Sequence, residues 1–356
     1  MKSILLTVHR YISLAMVLVW ILQGITGTMM VFKKEIMGLN FKTSHEKIDF
    51  SEVEKSLELM VSSNEKSRIP FVYASDNNFN NLNVYFVDKR DSWSLIRMDA
   101  KGSILRTLPS NPEVMDAGFF ELVLELHVKR FSGEIGKFII SISGILLLTN
   151  LLIGLKLAWP GRGTWLRSFK LTEKPIGRTG VYKWHRTLGL WFIFPAIIII
   201  GAGTLMIWED DLENIFGPNM PAPHITQITP SPEKHFISMT KAIEIAQSLY
   251  PLAKVSFWTM ASNQEPYYKV RLLQEEELPT TQGMTTLYID AIEGKILANY
   301  NALKSPTGVK FLNSFYPIHN GEFLGIMGRI IVFLVGIWLT LMIVLGISLW
   351  WVKKTR

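Results

Sequence analysis

Four histidines stand where they could do chemistry. His9 in "LTVHRYISLA" and His185 in "YKWHRTLGLW" each lead an apolar run, and each is followed by an arginine, Arg10 and Arg186. His127 in "LELHVKRFSGEIG" and His319 in "YPIHNGEFLGIMG" precede two further runs. A neutral imidazole can ligate a metal, the iron of a haem included. It can equally sit at a membrane boundary as an amphipathic anchor. The chain has no cysteine. Structural disulfides, thiolate-bound iron–sulfur clusters and covalent c-type haem attachment are therefore excluded, and any redox centre must be held non-covalently.

The elements that would position these rings are apolar windows at about 9–32, 134–159, 186–208 and 325–352. Each is long enough to cross a hydrocarbon core of about 30 Å, which takes roughly 20 helical residues. The first window lacks a small-residue cleavage site and reads as a retained helix. The 356 residues are 48% hydrophobic with a formal net charge of +7. Positive charges crowd between Lys156 and Arg186 and return in the tail at Lys353, Lys354 and Arg356. The positive-inside rule then places both termini and the central loop in the cytoplasm. The charge is a topology signal, and no nucleic-acid partner is expected. His9 and His185 fall near the cytoplasmic face, and His127 and His319 near the periplasmic face.

The chain is built twice. With His9 set on His185, Gly27-Thr28 falls on Gly203-Thr204, Met30 on Met206 and Glu35 on Asp211. With His127 set on His319, Gly136-Lys137 falls on Gly328-Arg329, Gly144 on Gly336, Gly154 on Gly346 and Trp159 on Trp351. Each half reads as helix, external segment, helix, with the pseudo-symmetry axis along the membrane normal. The external segments repeat a helix ("FSEVEKSLELMV", "SMTKAIEIAQSLY") followed by alternating strands. Both close on a turn with glycine, "DAKGSIL" and "DAIEGKIL", where positive φ is needed. "GPNMPAPHITQITPSP" is a Pro-rich connector. The expected fold is a membrane α-helical protein of four transmembrane helices from a tandem repeat, carrying two periplasmic α+β domains. Its parts are helix 1 at 1–32, periplasmic domain 1 at 33–126, helix 2 at 127–159, a cytoplasmic loop at 160–184, helix 3 at 185–208, periplasmic domain 2 at 209–318, helix 4 at 319–352 and a tail at 353–356. Pro195 is expected to kink helix 3.

This order of His-led helices and D-x-x-G-x-[IL] inserts resembles the PepSY-associated transmembrane proteins, which include iron-uptake proteins and inner-membrane siderophore reductases. The resemblance covers nearly the whole chain. It implies two PepSY-like periplasmic domains, two b-type haems, and reduction of a periplasmic ferric siderophore or other ferric chelate with release of ferrous iron. A ferric-siderophore reductase type of oxidoreductase is the enzyme expected.

The histidines suit that expectation. Facing helices can each supply one axial ligand, giving one haem b on His9 and His185 and a second on His127 and His319. Arg10 and Arg186 are candidate contacts for haem propionates, as are Lys137 and Arg329 at equivalent sites of the second and fourth helices. Positive-inside anchoring and snorkelling explain these four cations as well. Glycines 24, 27, 144, 154, 201, 203, 336 and 346 give room for a macrocycle or for close helix packing. Trp20, Trp191 or Trp338 could stand between two distant irons. His45, His224 and His235 lie in external segments, where contact with substrate iron competes with a plain surface role. No acid–base pair is assigned, since one-electron transfer requires none. No dinucleotide-binding or phosphate-loop motif is present. A reduced flavin, a quinol or a partner reductase must therefore deliver electrons at the inner face. The chelate of the expected substrate is of hydroxamate type. The competing reading is a haemless membrane-tethered protein acting as peptidase inhibitor, assembly factor or metal-uptake accessory.

Overall fold

A computed structural model gives the fold of residues 2–38, 46–63, 67–74, 81–109, 119–128, 133–171, 174–217, 236–278 and 283–354. His45, His224, His235 and connector residues 218–232 lie outside the described residues. In chain order the elements are α1 (Lys2–Met30), α2 (Lys33–Gly38), α3 (Phe50–Ser62), β1 (Phe71–Ala74), β2 (Leu82–Val87), β3 (Trp93–Met98), β4 (Ile104–Pro109), α4 (Phe119–Val128) and α5 (Gly133–Ala158). There follow α6 (Trp165–Ser168), α7 (Gly177–Trp191), α8 (Ile193–Ile207), α9 (Glu209–Phe216), α10 (Met239–Leu249), β5 (Lys254–Thr259), β6 (Tyr267–Leu273), β7 (Thr285–Asp290), β8 (Ile296–Tyr300), α11 (Thr307–His319) and α12 (Gly325–Lys354). They form a helical unit (Met1–Phe32, Val123–Leu212, Leu312–Arg356) and a sheet unit (Lys33–Leu122, Glu213–Phe311).

In the helical unit, α1, α5 and α12 are each long and apolar enough to cross a membrane. Helices α7 and α8 pass the same test only together, and they bend by 64° where they meet. Pro195 explains the break. It has no N–H to offer the carbonyl of Trp191, so the ladder stops there and restarts when Ala196 N–H donates to Phe192 O at 2.9 Å.

Small residues set the helix crossings. A Cβ at Gly336 on α12 would overlap Thr28 of α1, and one at Gly144 on α5 would overlap Thr204 of α8. Both glycines and both threonines are partners in the sequence alignment of the two halves, so the same small-residue contact is made twice, each time across halves.

The span boundaries differ from the sequence expectation. His9 lies seven residues into α1, and His185 lies inside α7, which begins at Gly177. His127 lies in the last turn of α4 and His319 ends α11, whereas α5 starts at Gly133 and α12 at Gly325. The second break has a visible cause. Gly321 (φ 83°) adopts left-handed backbone, Gly325 (φ 58°) also has positive φ, and the Asn320 side chain accepts from Glu322 N–H at 2.9 Å.

The two α+β segments are also not separate modules. Their strands join into one eight-stranded antiparallel sheet in the order β4-β3-β2-β1-β5-β6-β7-β8. The join is β1 against β5, with Val72 opposite Trp258. Helices α3 and α10 cover one face, and a single core runs through both halves, from Val53, Leu57 and Val84 to Ala242, Ile243, Trp258 and Leu287. Each helix starts on a capping side chain: Asp49 accepts from Ser51 and Glu52 N–H, and Ser238 from Lys241 N–H. Glu54 ties the halves together. This buried carboxylate accepts from the amides of Met239 and Thr240 and from the Thr240 hydroxyl, which satisfies the N-terminus of α10 from α3. Nothing in the sequence reading singled out Glu54. The signal available was an acid amid the buried positions Val53 and Leu57 of an amphipathic helix.

Candidate functional site

The helical unit brings the four histidines together as two pairs. The His9 and His185 ring centroids are 6.3 Å apart with an interplanar angle of 71°. Those of His127 and His319 are 6.1 Å apart at 32°. Two imidazoles bound to one iron through Nε2 would have centroids about 6 Å apart, since each metal–nitrogen bond is about 2 Å and the centroid lies about 1 Å beyond the nitrogen. Rings packed edge to face in a core fall in the same range, so spacing alone does not decide between ligation and packing. Two further features bear on it.

The first is what holds each Nδ1. His9 Nδ1 faces Asn150 O at 3.3 Å, and His319 Nδ1 faces Ile199 O at 2.8 Å. A carbonyl can only accept, so Nδ1 carries the proton in both and Nε2 keeps its lone pair. His127 Nδ1 lies 2.9 Å from the Thr26 hydroxyl. That hydroxyl already donates to Leu22 O at 2.6 Å, so it receives the His127 proton and Nε2 is again the free base. His185 Nδ1 is buried beside the backbone of Met342 and makes no hydrogen bond of ordinary geometry. Met342 aligns with Asn150 between the two halves, so the same helical position lies beside His9 and His185. Metal-ligating histidines are oriented in this way, through the nitrogen that does not bind the metal.

The second feature is a glycine against every ring. A Cβ added at Gly27 would stand 3.0 Å from His127 Cε1, one at Gly154 3.3 Å from His9 Cε1, and one at Gly346 3.6 Å from His185 Cε1. At Gly203 it would overlap the His319 ring outright. The imidazoles therefore lie directly on the backbone of the neighbouring helix. The donor type, the Nδ1 partners of three rings and the glycine against all four are compatible with a haem held between each pair.

The four histidines singled out in the sequence are thus brought together in two pairs, whereas the residues that orient them were missed. Thr26 and Asn150 are buried polar residues within apolar runs, a costly placement that marks function or specific pairing. Asn150 Nδ2 donates to Ser13 Oγ at 2.9 Å, which donates to His9 O at 2.7 Å, closing a small network around His9. Gln23 Nε2 likewise donates to His127 O at 2.8 Å.

Two of the four candidate cations lie against helix ends. Arg186 donates to Ala158 O, the last residue of α5, at 3.0 Å. Arg329 is buried, donates to Val31 O just beyond α1 at 2.6 Å, and stacks 5.0 Å from the centre of the Phe32 ring. Each satisfies a carbonyl at a helix C-terminus, the end of the dipole that favours a cation.

Between the pairs lies a packed core. Along α1 the separation from His9 to Gly27 is about 27 Å at 1.5 Å per residue. Trp20 and Trp338 are buried in that interval, with Trp20 Nε1 donating to Ser143 and Trp338 Nε1 to Leu188 O. Trp191 does not join them, since it is 45% exposed and donates to Phe169 O.

Among the described residues, no group of three His, Cys, Asp or Glu side chains could hold a bare metal ion. A search of curated proteins finds no match to the chain. The model of the PepSY-associated TM region matches residues 6–353, nearly the whole length, and the chain belongs to that family of membrane proteins.

Proposed function

We propose that this protein is a four-span, b-type haem protein of the bacterial inner membrane that carries electrons from the cytoplasmic side to a periplasmic ferric chelate of siderophore type. The observation that carries the reading is the pairing of His9 with His185 and His127 with His319, each ring on a glycine of the neighbouring helix. Bound haem would supply a one-electron couple that the side chains lack. The histidines would hold the iron of such a group through Nε2. Asn150, Thr26 and Ile199 fix three of the rings through Nδ1, and the core around Trp20 and Trp338 excludes water between the two centres. With both termini cytoplasmic, the His9 pair faces the donor (reduced flavin, quinol or partner reductase), and the His127 pair lies near the periplasmic face. The electron delivered there converts ferric to ferrous iron, which hard oxygen ligands hold less well.

The test is a visible spectrum of detergent-purified protein, oxidised and then reduced with dithionite, with a pyridine haemochrome count. A b-type spectrum at about two haems per chain supports the reading. A colourless protein after expression with ample haem overturns it and leaves a haemless tether built on the same fold.

A further inference from the structure

The sheet has a second face, opposite α3 and α10, and it is unusual in composition. Alternation along the strands puts the odd-numbered residues of β1, β2, β3 and β6 on it. A row of rings crosses four strands: Trp93 lies 6.2 Å from Tyr85, Tyr85 4.5 Å from Phe71, and Phe71 5.7 Å from Phe257. The row continues into a cation, since the Arg271 guanidinium sits 5.4 Å from the centre of the Phe257 ring. Beyond it, Lys269 lies 5.6 Å from the centre of Tyr288, which is buried among Tyr267 and Tyr300.

The charge on this face is not balanced. Arg271 and Lys269 are two residues apart on β6, so both point the same way and repel each other. Among the described residues neither makes a salt bridge. Arg271 Nε is buried with no hydrogen-bond partner. The one carboxylate that acts on Lys269 is Glu265, and it is shared with the Tyr267 hydroxyl. Burying cations without counter-charges is costly, and the cost is recovered when an anion arrives. The rings beside them are half-buried, with Phe71 and Phe257 stacked at 27° and Tyr85 tilted by 35° to Phe71. Such a cluster can pack against the rings of an aromatic ligand.

We propose that this face binds an anionic ligand carrying aromatic rings, with Arg271 and Lys269 as the charge contacts and Phe71, Tyr85 and Phe257 as the stacking surface. Resting on the function proposed above, the inference narrows the substrate to a ferric chelate of the tris-catecholate kind, which combines negative charge with aromatic rings. A neutral trihydroxamate complex offers neither. This departs from the hydroxamate chemistry that the sequence suggested.

The test uses full-length protein in detergent and gallium(III) chelates, which bind as ferric ones do but accept no electron. Gallium tris-catecholate, gallium trihydroxamate and inorganic phosphate are titrated by calorimetry. The catecholate complex is expected to bind roughly tenfold or more tightly than either other probe. Arg271→Gln and Lys269→Gln should each weaken it by about tenfold, the loss typical of one charge-assisted contact, whereas Lys241→Gln on α10 should leave it unchanged. Equal affinity for the two chelates, phosphate binding as well as catecholate, or unaltered binding by both β6 variants overturns the proposal. The chelate comparison needs no variant, so a misfolded mutant cannot obscure it. Red protein without a chelate preference would sink this inference alone. Colourless protein that binds catecholate would sink the electron-transfer reading alone.

Discussion

The ring of His319 fills the volume that a side chain at Gly203 would need. Gly203→Ala should therefore push the ring off its helix and remove the haem proposed at the His127–His319 pair, lowering the haemochrome count by about one per chain. Gly201→Ala, two residues away with nothing within 4 Å of its Cβ, is the matched control and should keep both haems. Equal counts in the two variants would remove the cradle argument.

Pairing also predicts non-additivity. His127→Ala and His319→Ala should each cost the same haem, and the double variant should lose no more than either single one, because both act on one centre. His9→Ala combined with His319→Ala should lose both. Four independent losses in the haemochrome count would mean that the rings do not act in pairs.

Thr26 should matter through His127 alone. Thr26→Val removes the acceptor for Nδ1 and nearly keeps the shape, so haem at that pair should be held about 10–100-fold more weakly, with its reduction midpoint shifted. Thr26→Ser should restore both. Haem transfer to an apo acceptor and redox titration read the two effects separately, and a purely packing role would leave the midpoint where it was.

Glu54 tests the union of the two half-sheets. Glu54→Ala leaves the first amides of α10 and the Thr240 hydroxyl without their acceptor in a buried place. The sheet unit should lose roughly 2–3 kcal/mol, the order of a hydrogen bond to a buried charge. Limited proteolysis should cut this unit first while the haem spectrum persists.

Lys269 gives a pH signature. Burial, with Arg271 nearby, lowers its pKa to about 8 against the opposing pull of Glu265. An unfolded lysine titrates near 10.4. Below about pH 8 the folded state holds a proton it binds poorly, so the ammonium costs stability there. The cost fades between about pH 8 and 10.4, where the unfolded chain binds more protons and stability rises with pH. Lys269→Met should raise the Tm at pH 7, with the gain vanishing above pH 10. A gain independent of pH would point to packing instead.

The strands were legible because their information is local. Alternation located six of them and the closing turns announced the other two; both turns carry the expected glycine, Gly102 at φ 80° and Gly294 at φ 70°. Each turn is clasped by its aspartate: Asp99 accepts from Lys101 and Ser103 N–H, and Asp290 from Ile292 and Glu293 N–H. The bend at Pro195 was legible for the same reason. The meeting of β1 with β5 was not, since no local pattern in "FVYA" names a partner about half the chain away. The apolar windows at 134–159 and 325–352 agree with the starts of α5 at Gly133 and α12 at Gly325, whereas His127 and His319 fall in the last turns of the preceding helices. The pairing of the histidines followed from helix direction, whereas Thr26, Asn150 and Glu54 became visible only once the helices were packed.

The seam between β1 and β5 has a consequence for synthesis. When the first half of the sheet has left the ribosome, β1 is an open edge whose partner has not yet been made. Because its eventual partner runs antiparallel across a near two-fold relation, a second copy of β1 presents much the same edge. A chain cut short in its central loop, or two chains emerging side by side, would thus be offered a like-with-like closure before the proper one. Spacing between neighbouring ribosomes, and whatever shields that edge in the interval, would then govern how much of this protein reaches its single-chain form.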